Sequence, residues 1–216
     1  MKKYENIYMK RFLYFNVYVI KGKDGDILID TGFIGTKKAL LKWLKNFNIK
    51  LIILTHAHID HTWNVSYIKE KYNCKVALGK NDIKNLDNKN IKTYPAKKYL
   101  KLWTKAMTFG MKHLKSKPFK IDITLEDNQT IDKYGINLKI VELPGHTTGS
   151  IGILYKDYLF VGDALVNRRK ISIAYQNQNN NKAQESLKKI INMKPKIIFL
   201  GHDKEFEYKK IEKINI

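Results

Sequence analysis

The chain has 216 residues, 44% of them hydrophobic and 12% aromatic, which is enough for one sizeable core and too short for a second large domain, so a single domain over 1–216 is expected. No stretch approaches the roughly 20 apolar residues of a membrane span. The N-terminal MKKYENIYMKRF lacks the apolar heart of an export signal and the lone Cys74 excludes an intrachain disulfide, so the expected compartment is the cytoplasm. The net charge of +21 is nearly all lysine, with Arg11, Arg168 and Arg169 the only arginines, and it is spread along every segment. A small-molecule substrate, anionic if charged, is therefore favoured over nucleic acid, which needs a concentrated basic face.

In chain order, NIYMKRFL, FNVYVIKG and DILIDTG are β-branched and aromatic runs separated by turns, and predict an antiparallel meander. Ala39, Leu40, Leu41, Trp43 and Leu44 fall mainly on one face of a helix over 36–46, and KLIILT at 50–55 is a short buried strand. A His/Asp cluster follows, then a helix over 63–72, the strand CKVALG and a helical turn at KNDIKNL. Residues 87–118 interrupt this rhythm. An Asn- and Lys-rich loop leads into Ala96, Tyr99, Leu100, Trp103, Met107, Met111 and Leu114 at helical spacing, an amphipathic helix over about 96–115 inserted in a sheet protein.

From Phe119 the strands resume as FKIDITL, QTIDKY, INLKIVEL, SIGILYK and YLFVGD, implying a second sheet. A helix over 182–193 is broken at Lys194 and Pro195, and KIIFLG is the last strand. Two face-to-face sheets with helices outside each accommodate this order. The expected fold is an α/β four-layer αββα sandwich with a helical insertion around 87–118.

The chemistry gathers at strand ends. KLIILT runs into His56-Ala57-His58-Ile59-Asp60-His61, and the alternation of an extended segment directs His56 and His58 the same way. His146 follows INLKIVELPG, Asp163 ends YLFVG, and His202 ends KIIFLG. Any one of these is unremarkable as a cap or loop residue. Together, five of the six histidines and two aspartates at strand ends form a donor set for two adjacent divalent cations, since imidazole suits borderline-soft ions and carboxylate can bridge. His113, in the amphipathic helix, is left out.

These segments resemble the metallo-β-lactamase superfamily. The likeness runs from FNVYVIKG and DILIDTG through THAHIDH, LPGHTTGS and LFVGD to LGH, in that family's order. It implies that His56, His58 and His146 hold one metal, that Asp60, His61 and His202 hold the other, and that Asp163 bridges. It also places Asp30 of LIDTG behind the metal-binding histidines, with an Asx-type turn before Gly32 as the alternative role. His58 stands where the family's di-iron oxidoreductases usually carry glutamate, so zinc is the expected ion, with iron and manganese as alternatives.

Two such ions imply hydrolysis by a bridging hydroxide, with Asp60 as the catalytic side chain that orients water or relays a proton. A small ester, thioester or lactone is the expected substrate, a nucleotide or nucleic-acid phosphodiester the alternative, and a metal-binding sensor or scaffold the non-enzymatic one. The catalytic part of the family's hydroxyacylglutathione hydrolases is similar to this chain, but their C-terminal helical region exceeds what fourteen residues after His202 supply. Tyr175 is a candidate for the tyrosine that follows the bridging aspartate in the family's lactonases. The insertion is the expected specificity element, with core packing as the alternative use of its apolar stripe. Arg168 and Arg169 either clamp an anionic group or are solvated.

Overall fold

A computed structural model describes residues 2–87, 92–112 and 114–212, with the backbone alone for 103, 107, 108, 111 and 112. The meander predicted at the start forms, as Ile7–Phe12, Phe15–Lys21 and Asp26–Ile29, with Lys2–Tyr4 added at its edge. Ile49–Leu54, Lys75–Gly79 and Ile123–Leu125 then extend it in parallel, giving a seven-stranded sheet. The second sheet has six strands in the spatial order Phe206–Glu207, Ile197–Phe199, Tyr158–Phe160, Ile151–Tyr155, Ile136–Glu142 and Thr130–Lys133.

Alternation along the strands divides the apolar residues among three cores. Tyr18 and Ile20 of Phe15–Lys21 face the second sheet, where they meet Leu138, Ile140, Phe160 and Phe199. Val17 and Val19 of the same strand face outward, beneath helices α1 (Lys37–Leu44) and α3 (Val65–Tyr72). Helix α2 (Ile59–Thr62) is a single turn between the first ligand loop and α3. Leu143, Leu159 and Ile198 on the outer face of the second sheet are covered by Ala183, Leu187 and Ile190. Those three belong to a later helix, Asn180–Met193, whose N-cap Asn179 accepts a bond from the Lys182 amide. The four-layer αββα sandwich is therefore present.

Three local expectations are corrected. Ile123–Leu125 of FKIDITL joins the first sheet, not the second, because the chain leaving the insertion returns beside Lys75–Gly79 before crossing over. The amphipathic helix, α4, is shorter than the predicted 96–115: it spans Lys101–Lys112. A 3-10 turn, Lys98–Leu100, precedes it, so Tyr99 is not on its packed stripe and is 77% exposed. Upstream, the insertion forms a two-residue strand, Tyr94–Pro95, paired with Gln176–Asn177, which its turn-like sequence did not announce. The side chains of Trp103, Met107 and Met111, and the whole of His113 and of 88–91, lie outside the described residues. The helix Asn180–Met193 is α5. Among the described residues no helix is long and apolar enough to cross a membrane.

Cys74 lies buried at the start of Lys75–Gly79, and burial pushes its thiol up to about 11. At pH 8 only on the order of one molecule in a thousand then carries the thiolate. Iodoacetamide at pH 8 is expected to leave the native protein unlabelled on a timescale that modifies the urea-unfolded chain completely, read by intact mass. Equal labelling rates would contradict this burial.

Candidate metal centre

The seven predicted residues meet at one end of the sandwich, where strands of both sheets stop. They fall into two groups, His56, His58 and His146, and Asp60, His61, Asp163 and His202, each with donor atoms within 4.8 Å of one another. Asp163 touches both. Its Oδ2 is 3.7 Å from His146 Nε2 and 3.1 Å from His202 Nε2, and its Oδ1 is 3.5 Å from His61 Nε2. His56 sits between the groups, its ring centroid 4.1 Å from that of His61 and 4.8 Å from that of His146.

The backbone makes room for this crowding. Gly162, at φ +53°, lies so close to Thr55 that a Cβ would fall 2.5 Å from its Oγ1. A Cβ on Gly201 would lie 2.3 Å from Asp163 Oδ1 and 2.6 Å from the His61 ring. Glycine beside Asp163 and beside His202 lets the two sheets bring these strand ends into contact.

Four of the five imidazoles are held through Nδ1, which aims Nε2. The Nδ1 atoms of His61, His146 and His202 meet Asp30 Oδ2 at 2.8 Å, the Gln176 carbonyl at 2.9 Å and the Tyr14 carbonyl at 3.0 Å. His56 Nδ1 meets Thr55 Oγ1 at 3.1 Å. These four therefore present Nε2, while His58 presents Nδ1, 2.9 Å from His146 Nε2. Asp30 itself accepts from the Thr55 amide and hydroxyl, both at 2.8 Å, so it works as the support expected of it and is no mere turn residue.

Further supports escaped the sequence. Asp82, fully buried, accepts from the Ala57 amide at 2.5 Å and the Gly149 amide at 3.2 Å, joining the first ligand loop to the loop that carries His146. Nothing in KNDIKNL distinguishes it. Asn16 turns its side-chain amide to the carbonyls of Leu200, His202 and Asp203 and so holds the His202 loop; its signal was an asparagine inside the apolar run FNVYV.

The donor set fits divalent cations. His56 Nε2, His61 Nε2, Asp60 Oδ1 and Asp163 Oδ1 are buried with no hydrogen-bond partner, a costly arrangement for a protein with nothing to bind. Burial pushes His56 and His58 below the usual imidazole value and His146 down to about 4, leaving neutral lone pairs. Burial pulls His61 and His202 the same way, but the neighbouring carboxylates outweigh it. Asp30 and Asp163 hold His61 well above its usual value, and Asp163 with Asp60 brings His202 to about 10. Asp60 and Asp163 are correspondingly held below the carboxylate range against the opposing effect of burial.

The pocket over the centre holds about 260 Å³. Tyr14, Phe15 and Phe33 form an apolar wall, and Arg168 and Tyr175 line it with the ligands. Arg168 sits 5.5 Å over the Tyr175 ring with its Nε 3.5 Å from Asp203 Oδ1, whereas Arg169 points to a different cavity.

The sequence profile of the metallo-beta-lactamase superfamily matches residues 12–202, which includes every one of these donors. The chain belongs to the metallo-β-lactamase superfamily. It is 36% identical over 153 residues to a probable metallo-hydrolase of Methanocaldococcus jannaschii, covering 69% of this chain and 66% of that one. It is 27% identical over 149 residues to a hydroxyacylglutathione hydrolase of Shewanella pealeana, covering 69% of this chain but only 41% of that one. The fold is that of a subclass B3 metallo-β-lactamase of Bradyrhizobium japonicum, with a TM-score of 0.69 at 23% identity over 91% of this chain and 75% of that one. As a member of this superfamily with relatives named as hydrolases, the chain is a metal-dependent hydrolase.

Two measurements test the centre. Asp82→Ala removes the acceptor of two backbone amides, one of them in the first ligand loop, and of the Asn85 side-chain amide, and is expected to cost about 2–3 kcal/mol in urea unfolding, with weakened metal retention; unchanged stability would dissociate Asp82 from the loops. The shifts of the five imidazoles lead to the expectation that in metal-free protein at neutral pH His61 and His202 carry protons and the other three histidines are neutral. Zinc loading at pH 7 should therefore displace about two protons, and affinity should fall as pH falls. Calorimetry in buffers of different ionisation enthalpy reads this directly, and loading without proton release would refute the charge assignment.

Proposed function

We propose that this chain hydrolyses a small ester, thioester or lactone at a two-metal centre, with zinc as the ion. The carrying observation is the pair of donor groups that share Asp163 beneath a small pocket with one apolar wall. His56, His58 and His146 would hold one cation, Asp60, His61 and His202 the other, and Asp163 would serve both. The imidazole-rich set, with histidine at 58, favours zinc over harder ions. Two bound cations supply Lewis acidity toward the scissile carbonyl and a water of lowered pKa.

The chain's own groups do the rest. The apolar wall of Tyr14, Phe15 and Phe33 receives the acyl part of the substrate and excludes bulk water, with Phe15 packed edge-on to His202 at 5.2 Å. Asp60, whose Oδ2 is 3.4 Å from His202 Nε2 and whose Oδ1 has no partner, lies at the pocket floor. It orients the attacking water and takes its proton. Water oxygen bonds to the carbonyl carbon, the bond to the alkoxide or thiolate breaks, and Asp60 passes the proton to that leaving group. Products are a carboxylic acid and an alcohol or thiol.

Protein loaded with zinc, iron or manganese should turn over members of a panel of nitrophenyl esters, thioesters and lactones and lose that activity on chelation. Turnover confined to bis-nitrophenyl phosphate would replace the ester assignment with a phosphodiesterase. Asp60→Asn is expected to lower kcat by roughly 10²–10⁴-fold, with metal content followed by mass spectrometry. Full activity with both metals retained would remove the proton-transfer role.

A further inference from the structure

Beside the metal pocket lies a second cavity of about 1030 Å³, some four times the 260 Å³ above the metals. Its walls come from the insertion just before α4, from the hairpin Leu165–Asn167 and Ile171–Ile173, and from helix α5. Lys97, Arg169, Lys170 and Lys210 line it, and no carboxylate does. These cations come from three separate stretches of chain. None of them is among the ion pairs of the described residues, in which Lys2, Lys69, Lys80, Lys117, Lys156, Arg168, Lys182 and Lys189 take part. Here four like charges converge on one concavity whose lining holds no carboxylate, with Lys97 Nζ 5.9 Å from the centroid of the Tyr99 ring.

The cavity adjoins the metal pocket at one residue. Tyr175 lines both, and Tyr99, 77% exposed, offers an aromatic face at the far side. The insertion is tied to this junction, since Ala96 donates its amide to the Tyr175 carbonyl at 2.8 Å and Pro95 pairs with Gln176. A molecule with its scissile bond at the metals would reach the basic space by passing Tyr175.

We propose that this cavity binds the polyanionic leaving-group tail of the substrate, a tail bearing phosphates or several carboxylates, with its less polar part against Tyr99 and Tyr175. The small pocket takes the acyl group and the large cavity takes the tail. Guanidinium and ammonium groups serve either anion, Arg169 through a planar fork and the lysines as point charges. This assignment rests on the ester or thioester chemistry proposed above and adds the charge and size of the leaving group to it.

The test uses zinc-loaded protein and calorimetric titration with two tails alone, adenosine 3′,5′-bisphosphate for phosphate and glutathione for carboxylate. One of them should bind with 1:1 stoichiometry, more weakly as salt rises. In Lys97→Glu/Lys170→Glu that affinity should fall at least tenfold, and in Lys97→Gln/Lys170→Gln by a smaller factor, with the circular dichroism spectrum and zinc content of the wild type. The ratio of kcat/KM for a thioester carrying the bound tail to that for the acetyl thioester of N-acetylcysteamine should fall with it. Affinity equal in wild type and both variants would mean that the anion sits on the zinc ions, and would overturn the proposal, as would binding of neither tail. Tail binding that responds to the variants, with no thioester or ester turned over, would uphold the cavity and overturn the hydrolytic assignment instead.

Discussion

Asp163 imposes the demand that the rest of the structure meets. A buried carboxylate within 3.1 to 3.7 Å of three imidazoles, from strand ends and loops in both sheets, cannot be tolerated unless positive charge is supplied. Without cations His61 and His202 supply it as protons. In the proposed two-metal centre the same atoms would become ligands.

The centre is held mostly by hydrogen bonding from just outside it. Asp30, Thr55, Gln176 and Tyr14 each hold one ring nitrogen, while Asp82 and Asn16 hold the loops that carry the rings. The core between the sheets gives this network a stiff base: Tyr18 packs on Phe160 and Phe199 with centroids 5.0 and 5.3 Å apart, and its hydroxyl donates to the Leu200 carbonyl at 2.5 Å, two residues before His202. Packing fixes the strands, and hydrogen bonds then fix the ligand angles.

The insertion links this rigid part to the face where a substrate would be chosen. Its short strand pairs with Gln176–Asn177, and the Gln176 carbonyl is the acceptor that holds His146. The segment that walls the larger cavity thus also braces a residue of the metal centre. Leu102 and Phe109 are exposed on α4 but lie off its predicted stripe, whose Trp103, Met107 and Met111 side chains are outside the described residues.

Much of this was legible in the sequence. Strands with a two-residue period and helices with a 3.6-residue period fixed the four layers, because each pattern buries its apolar face in only one way. The donors were legible because metal chemistry restricts which side chains serve, and because five of them are concentrated at strand ends near THAHIDH and LGH. What the tertiary structure alone decided was proximity. Asp82 joins loops 25 and 67 residues away from it along the chain, Asn16 reaches a loop 186 residues away, and Ile123–Leu125 joins the sheet that its neighbours in sequence leave. Four cations scattered through a lysine-rich chain become one basic cavity in the same way. Local patterns record what each segment must bury; which distant segments meet is set by the packing of whole sheets, and no short stretch of sequence carries that information.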